Sequence, residues 1–316
     1  MKYQPGKPGL ILFVGMLTVW LAIGESHAQT KNGFDLSDAL IPPEDMRSGG
    51  PPRDGIPSID DPKFLEAGDA GYLDADDRIL GVTKNDIAKA YPIRVMNWHE
   101  IVNDRFGETP VAVTYCPLCG SGVAYNARVA GEIRTFGVSG LLYNNDVLLY
   151  DRESESLWSQ LMNKAIAGPL KSTELQPVRM VHTTWSAWRT EHPESLVLSR
   201  ETGFDRDYAK SPYAGYAEKP GTIFPVTNTD NRLPTKALVL GVEIDGKYKA
   251  YPFRELDKAG PTVRDEFNGS ELIISYHREH RSARLESPRE GEVHSLTLYW
   301  FAWAAFHPET AVFRSH

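Results

Sequence analysis

Cysteine is nearly absent from this chain. Only two occur among 316 residues, Cys116 and Cys119, which excludes a framework of several disulfides. Basic residues are also in short supply, because 42 acidic residues outnumber 34 basic ones and the net charge is −8. This balance argues against a surface that binds nucleic acid. No apolar run reaches the about 20 residues that a helix needs to cross a bilayer.

The longest apolar run lies near the N-terminus. Lys2 and Lys7 precede an apolar stretch at residues 10–24, and Ser-His-Ala at residues 26–28 offers small residues for cleavage. This order is typical of an export signal. We therefore predict a signal peptide over residues 1–28 and a periplasmic or secreted mature protein, with an uncleaved anchor as the alternative. No membrane span is expected after signal cleavage.

Repeated motifs indicate a duplicated unit. The peptide Lys-Ala-Tyr-Pro occurs at residues 89–92 and again at residues 249–252. A Trp-x-x-Trp pair followed by His-Pro-Glu begins at residue 185 and again at residue 300. Because the order of the motifs is kept, duplication explains them better than coincidence does.

The repeats define the expected organisation of the chain. We predict an extended arm rich in proline and glycine over residues 29–78, and a first repeat over residues 79–230. The second repeat, residues 231–316, is shorter, so the first copy is expected to carry an insertion at about residues 136–168.

The fold class is expected to be mainly β (α+β), with antiparallel strands and short helices. The chain is rich in glycine, proline and tyrosine, a composition typical of many short strands and turns. Residues 111–115 form a β-rich apolar run that leads into Cys116, and residues 122–126 resemble a return strand. The cysteines are therefore expected at the tip of a hairpin.

A metal site is the first hypothesis for the cysteines. Two cysteines separated by two residues, with proline between them and glycine after them, are typical of a turn that points both sulfurs the same way. In the second repeat, His277 and His280 stand at the corresponding place. Cys116, Cys119, His277 and His280 would form a Cys2His2 set suited to a zinc or copper ion.

Two other interpretations of the cysteines stay open. An oxidising compartment favours a Cys116–Cys119 disulfide that only fixes the hairpin, with the histidines as ordinary surface residues. Thiol-disulfide exchange needs the first cysteine at the start of a helix, and Gly120 and Gly122 break any helix there. Redox exchange therefore ranks below metal binding and below a structural disulfide.

Catalysis has three candidate residues. Asp151 and Arg152 follow an apolar strand, and His182 precedes a Thr-Thr-Trp sequence. With Cys119 they would serve a periplasmic oxidoreductase or hydrolase. The remaining alternative is a non-catalytic scaffold whose tryptophan-rich surface binds a glycan, a small molecule or a protein.

Several motifs together resemble a bacterial family catalogued as domain of unknown function 3179. They lie at residues 114–122, 136–140, 150–152, 156–160 and 183–185. The resemblance covers most of the chain from about residue 80 and brings no assigned reaction. It implies that the Cys-Pro-Leu-Cys-Gly turn, the Asp-Arg pair and the Ser-Leu-Trp block are family features. The His277–His280 pair departs from the pattern expected of the family, and the resemblance offers Asp151 or His182 as alternative partners for the cysteines.

Overall fold

A computed structural model describes residues 1–2, 29–286 and 294–315 of the chain. The apolar run of the expected export signal falls at residues 10–24, outside the described residues. Among the helices that are described, none has the length and apolar character that a bilayer span requires.

The N-terminal arm contains short strands that join larger sheets. Met46–Ser48 pairs with residues 141–143 and Phe64–Glu66 pairs with residues 196–198, so the arm runs across two sheets. Its elements are β1 (Thr30–Lys31), β2 (Phe34–Asp35), a 3-10 helix (Pro43–Asp45), β3 (Met46–Ser48) and β4 (Phe64–Glu66).

The next part of the chain holds most of the strands. Its elements are β5 (Arg78–Lys84), β6 (Ile87–Pro92), α1 (Ile93–His99), β7 (Ile101–Phe106), β8 (Thr109–Cys116), β9 (Ser121–Asn126), β10 (Arg128–Val129), β11 (Glu132–Ile133), β12 (Phe136–Tyr143), β13 (Asp146–Asp151), β14 (Leu157–Ser159), β15 (Lys164–Ala167), β16 (Pro177–Val178), β17 (Met180–Thr184), α2 (Trp185–Glu191) and β18 (Leu196–Leu198).

A long connection without helix or strand, residues 199–237, leads to the last part of the chain. Its elements are β19 (Leu238–Ile244), β20 (Lys247–Pro252), α3 (Phe253–Ala259), β21 (Thr262–Phe267), β22 (Ser270–His277), β23 (Ser282–Leu285), β24 (His294–Tyr299), α4 (Trp300–Phe306) and β25 (Ala311–Val312).

Five sheets of three to five strands form a propeller-like ring. Pairing is antiparallel except where β18 joins β6 and β25 joins β20. The expected class, mainly antiparallel β with short helices, is confirmed. In strand order the sheets are β15-β14-β13-β12-β3, β16-β9-β8-β7, β17-β5-β6-β18-β4, β24-β19-β20-β25 and β21-β22-β23.

The two halves share an order of elements and a pairing scheme. β5, β6, α1, β7, β8 and β9 correspond to β19, β20, α3, β21, β22 and β23. β17 pairs with β5 as β24 pairs with β19, and both trailing strands, β18 and β25, add in parallel. This correspondence is compatible with a repeated unit. The strands from β12 to β15 form a sheet with no counterpart among the described residues of the second half.

A tryptophan packed on a glycine holds each half together. A Cβ at Gly81 would lie 2.3 Å from the ring of Trp188, and one at Gly241 would lie 2.4 Å from Trp303. Both tryptophans are at most 2% exposed, and each indole N–H donates to a hydroxyl 2.8 Å away. The indole of α2 therefore packs on β5, and the indole of α4 packs on β19, at a glycine that leaves room for the ring.

The close packing predicts the effect of adding one methyl group. We expect Gly81→Ala and Gly241→Ala each to lower the free energy of unfolding by about 1–3 kcal/mol, because the Cβ would overlap the indole. Gly68→Ala is the matched control, since a Cβ there meets nothing within 4 Å. Urea denaturation of the three variants measures the effect. Equal stability of the Gly81 and Gly68 variants would contradict this packing.

Candidate functional site

The two cysteines lie at the tip of the hairpin formed by β8 and β9. Cys116 ends β8 and pairs with Ser121. Gly120 completes the turn with a φ of 62°, and a Cβ there would lie 3.0 Å from the ring of Tyr299. Glycine suits both the left-handed backbone and the close approach. The hairpin expected from the sequence is therefore present, and its glycine has a structural reason.

A second hairpin brings a carboxylate to the cysteines. Tyr143 pairs with Asp146 across a two-residue loop, Asn144 and Asn145, whose φ values are 52° and 67°. Positive φ at both positions is the geometry of a type I′ turn, which favours asparagine. The carbonyl oxygen of Asn145 accepts a hydrogen bond from the thiol of Cys116 at 3.3 Å. The sheet that contains β12 to β15, called the inserted sheet below because the sequence predicts an insertion there, thus packs its Asn144–Asn145 turn against the cysteine turn.

Cys116, Cys119 and Asp146 form a compact buried group. Their sulfur atoms and a carboxylate oxygen all lie within 4.8 Å of one another. The three residues are at most 1% exposed, and both cysteines are free thiols. Over residues 29–286 and 294–315, no other set of three histidine, cysteine, aspartate or glutamate side chains comes as close together.

Asp146 is only half satisfied by hydrogen bonds. Its Oδ2 accepts from the amide of Leu161 at 3.0 Å, whereas Oδ1 has no partner among the described residues. Burial raises the pKa of Asp146 well above its ordinary value, and the amides of Leu161 and Val147 oppose that shift only in part. A buried carboxyl with one unpartnered oxygen needs a proton or a cation.

The thiol of Cys119 is not set up as a nucleophile in the absence of a cation. Burial, and then the neighbouring Cys116, raise the pKa of Cys119 well above its ordinary value, and Asp146 adds to the shift. A reactive cysteine needs a lowered pKa, supplied by a helix N-terminus or a positive group. Without a cation, this environment favours the neutral thiol.

A further carboxyl, Glu100, acts on the same group from the end of α1. It occupies a left-handed position with a φ of 59° and is 6% exposed. The hydroxyl of Tyr213 donates to its Oε1 at 3.0 Å. Burial raises the pKa of Glu100 to about 7, against the opposing effect of this hydrogen bond. The negative form of Glu100 in turn raises the pKa values of Cys119 and Asp146.

The connection at residues 199–237 is fastened to the turn that carries Asp146. The side-chain amide of Asn145 donates to the carbonyl of Phe224 at 2.8 Å and accepts from its N–H at 2.9 Å. Asn144 accepts from the amide of Thr227 at 2.7 Å. Both asparagine side chains therefore bind the connection, whereas the backbone carbonyl of Asn145 accepts from Cys116.

Gln160 ties the inserted sheet to the cysteine hairpin. Its side-chain oxygen accepts from Ser121 at 2.7 Å, and its amide donates to Thr114 at 2.8 Å. All three residues are fully buried. This bridge explains why the Ser-Leu-Trp-Ser-Gln block accompanies the cysteine turn in the sequence.

Asp151 and Arg152 lie outside the cysteine group. Asp151 accepts from the indole of Trp158 at 2.9 Å and from both donors of Ser154, so it closes its own hairpin. Arg152 binds Asp60 of the arm at 2.5 Å. The structure accounts for both side chains by contacts that hold β13 and the arm in place.

His182 is on β17, beside the cysteine hairpin but not in the cysteine group. Its ring makes an edge contact with Tyr115, with centroids 6.3 Å apart, and its Nδ1 has no partner among the described residues. Burial, with Arg78 and Arg281 nearby, lowers the pKa of His182 well below its ordinary value. The ring is therefore neutral, and it faces a groove of about 830 Å³ between the sheets.

The structure does not bring His277 and His280 to the cysteines, so the expected Cys2His2 set is not assembled. His277 is exposed. His280 bonds through Nδ1 to the hydroxyl of Thr184 at 2.9 Å, and its carbonyl accepts from Arg78. The tip of the second-half hairpin therefore docks on β17 and β5, while the first-half tip meets the inserted sheet.

Sequence reasoning did not identify Asp146, Glu100 or Tyr213. Asn-Asn-Asp at residues 144–146, between two apolar runs, is a usable signal for a two-residue hairpin. No local pattern marks Glu100 or Tyr213, because they meet only through the folded connection.

The buried acid at the end of α1 gives a pH-dependent prediction. Because the pKa of Glu100 is raised from 4.5 to about 7 in the folded protein, its contribution to stability is most favourable below about pH 4.5 and declines as pH rises to 7. Glu100→Gln removes this titration and keeps an oxygen that can accept from Tyr213. We expect the free energy of unfolding of this variant to exceed that of the wild type by at most about 3 kcal/mol at about pH 8. The difference should shrink at about pH 5.

Denaturation with urea at the two pH values measures this difference. Glu108→Gln is the matched control, because Glu108 is fully exposed on the loop between β7 and β8. An advantage of Glu100→Gln that is the same at both pH values would contradict a buried, titrating Glu100.

Comparison with known proteins assigns the chain to a family. No curated protein and no solved structure matches the chain. The family described as "Protein of unknown function (DUF3179)" matches residues 53–293. This range includes the cysteine hairpin, the turn at Asn144 and Asn145, and the connection at residues 199–237. The match covers far more than half of the sequence, and the chain therefore belongs to the DUF3179 family.

Proposed function

We propose that this protein binds a transition metal ion, zinc in the first place, through Cys116, Cys119 and Asp146. The observation that carries the proposal is the meeting of two sulfurs and a carboxylate oxygen within 4.8 Å in the buried interior. The unpartnered Oδ1 of Asp146 supports it, since a cation would supply the missing interaction.

The donor set favours zinc over copper. Zinc accepts thiolate and carboxylate ligands together, and zinc sites with three protein ligands keep one position for water or substrate. Copper(I) selects sulfur ligands, so the carboxylate of Asp146 suits it less well. Copper remains the second candidate.

Charge supports a divalent cation at this place. Two thiolates and one carboxylate carry three negative charges, which cannot stay buried together without compensation. A divalent ion offsets two of them and lowers the pKa values that burial raises at Cys119 and Asp146. One negative charge remains, and Glu100 adds none to it while it holds its proton, up to about pH 7.

The residues around the three ligands have positioning roles in this proposal. In the metal-free protein the carbonyl of Asn145 accepts from the thiol of Cys116, a hydrogen bond that ends when Cys116 loses its proton to bind the ion, and Gln160 fixes the strand that begins at Ser121. Leu161 donates to the Oδ2 of Asp146 and so fixes the carboxyl beside the sulfurs. A zinc ion bound there would act as a Lewis acid on a water or carbonyl in its open position.

We also propose that the protein is exported and that its two halves arose by duplication. Export rests on the charge, apolar run and small residues of the N-terminal segment. Duplication rests on the shared order of strands and on the matched Gly81–Trp188 and Gly241–Trp303 contacts. The inserted sheet supplies Asp146, so the metal site belongs to the first copy alone.

Metal titration tests the proposal. We expect the wild type to bind one zinc ion, and Cys116→Ser, Cys119→Ser and Asp146→Asn each to weaken binding more than about 100-fold, the upper range for losing a supporting residue. Competition with a chromophoric chelator measures the affinity. Cobalt substitution adds a sulfur-to-metal absorption band that both cysteine variants should reduce.

His277→Ala and His280→Ala are the matched controls and should bind as the wild type does. Thermal melting of the metal-free variants separates a lost ligand from a lost fold. A zinc affinity that falls with His277→Ala but not with Asp146→Asn would contradict the assigned ligands. If copper(I) binds and needs only the two cysteines, the ion of this site would be copper rather than zinc.

A further inference from the structure

A cavity is formed by the long connection and includes Tyr213, which bonds to Glu100. Its volume is about 270 Å³, near the lower end for a small-molecule pocket. The connection supplies almost all of its walls, including Tyr213 and Tyr216, and Lys236 closes one side. A cavity of this size fits a small organic molecule better than a peptide.

Two tyrosines connect the lining of the cavity to the surroundings of the cysteine site. Tyr216 lines the cavity and belongs to the same buried cluster as Cys116 and Cys119. Tyr213 also lines the cavity and donates its hydroxyl to Glu100. The cavity therefore lies on the side of the cysteine site that the connection covers.

The cavity is positively charged although the chain as a whole is negative. Lys219 and Lys236 are among its lining residues, and no acidic residue is. The ammonium group of Lys236 lies over the ring of Tyr216, 3.9 Å from its centroid. Its single hydrogen-bond acceptor among the described residues is the carbonyl of Lys219, at 2.6 Å. An ammonium group has three donors, so two are left for a ligand.

Tyr216 lines the cavity with its ring rather than with its hydroxyl. Its hydroxyl is buried away from solvent and has no partner within the described part of the chain. The donors available to a molecule in the cavity are therefore the ammonium groups of Lys219 and Lys236. Two ammonium groups match the two oxygens of a carboxylate.

We propose that this cavity binds a small organic carboxylate and presents it to the metal site. Only the part of this inference that concerns the metal site rests on the proposed function; binding of the carboxylate does not. Lys219 and Lys236 supply two positive charges, which offset the ligand and the negative charge left by two thiolates and a carboxylate around a divalent ion. The apolar side chains of Pro220 and Ile223 suit a short carbon chain.

Binding of butyrate to the full protein tests the cavity itself. Ligand-observed NMR should detect butyrate on the metal-free wild type, and Lys236→Gln should weaken its affinity about tenfold, the loss of one charged hydrogen bond. Lys236→Arg should restore most of the affinity. Lys210→Gln is the matched control, because Lys210 is on the same connection, 82% exposed and outside the cavity. Affinity equal in wild type and Lys236→Gln would overturn the inference.

Cobalt loading then tests the link to the metal site. Protein carrying one cobalt ion, recognised by its sulfur-to-metal absorption, should broaden the butyrate signals, and zinc-loaded protein should not. Butyrate that binds through Lys236 without broadening would overturn the presentation to the metal. If no cobalt binds at all, the proposed metal site fails, whereas the Lys236 comparison still decides the cavity.

Discussion

Three ionisable side chains are buried together where two hairpin tips meet, and the surrounding structure has to compensate for this. The sulfurs of Cys116 and Cys119 and the carboxyl of Asp146 lie within 4.8 Å, shielded from water. Burial raises the pKa values of Cys119 and Asp146, and Oδ1 of Asp146 is left without a partner among the described residues. A cation would compensate for both features at once, and for this reason we propose a metal site rather than an activated thiol.

The propeller-like ring explains how such distant residues meet. The cysteines come from one sheet, Asp146 from the inserted sheet and Glu100 from the end of a helix between two strands. The connection at residues 199–237 closes the arrangement from outside through the asparagine turn. The contributing residues lie on strands or at the ends of strands and helices, so their meeting depends on how the sheets dock.

The sequence was informative where interactions are local and uninformative where they are not. The antiparallel β class, the short helices and the hairpin around Cys116 follow from alternation, turn residues and spacing. The partner of the cysteines does not, because the side that a hairpin tip faces is decided by sheet docking. The repeat favoured His277 and His280 by analogy, yet the equivalent tip packs on Thr184. The sheet of β12 to β15, which has no counterpart among the described residues of the second half, brings the carboxylate of Asp146 to the cysteines instead.

The turn at Asn144 and Asn145 constrains how this family can change. A strand places successive side chains on opposite faces, so one residue inserted before Asp146 would shift the register and exchange the faces of β13. The carboxylate would then point away from the sulfurs, and the asparagines would lose Phe224 and Thr227. Insertions are tolerated in most surface loops during evolution, but here loop length is tied to chemistry. We therefore expect evolution to substitute residues around this turn far more freely than it changes the two-residue length of the turn.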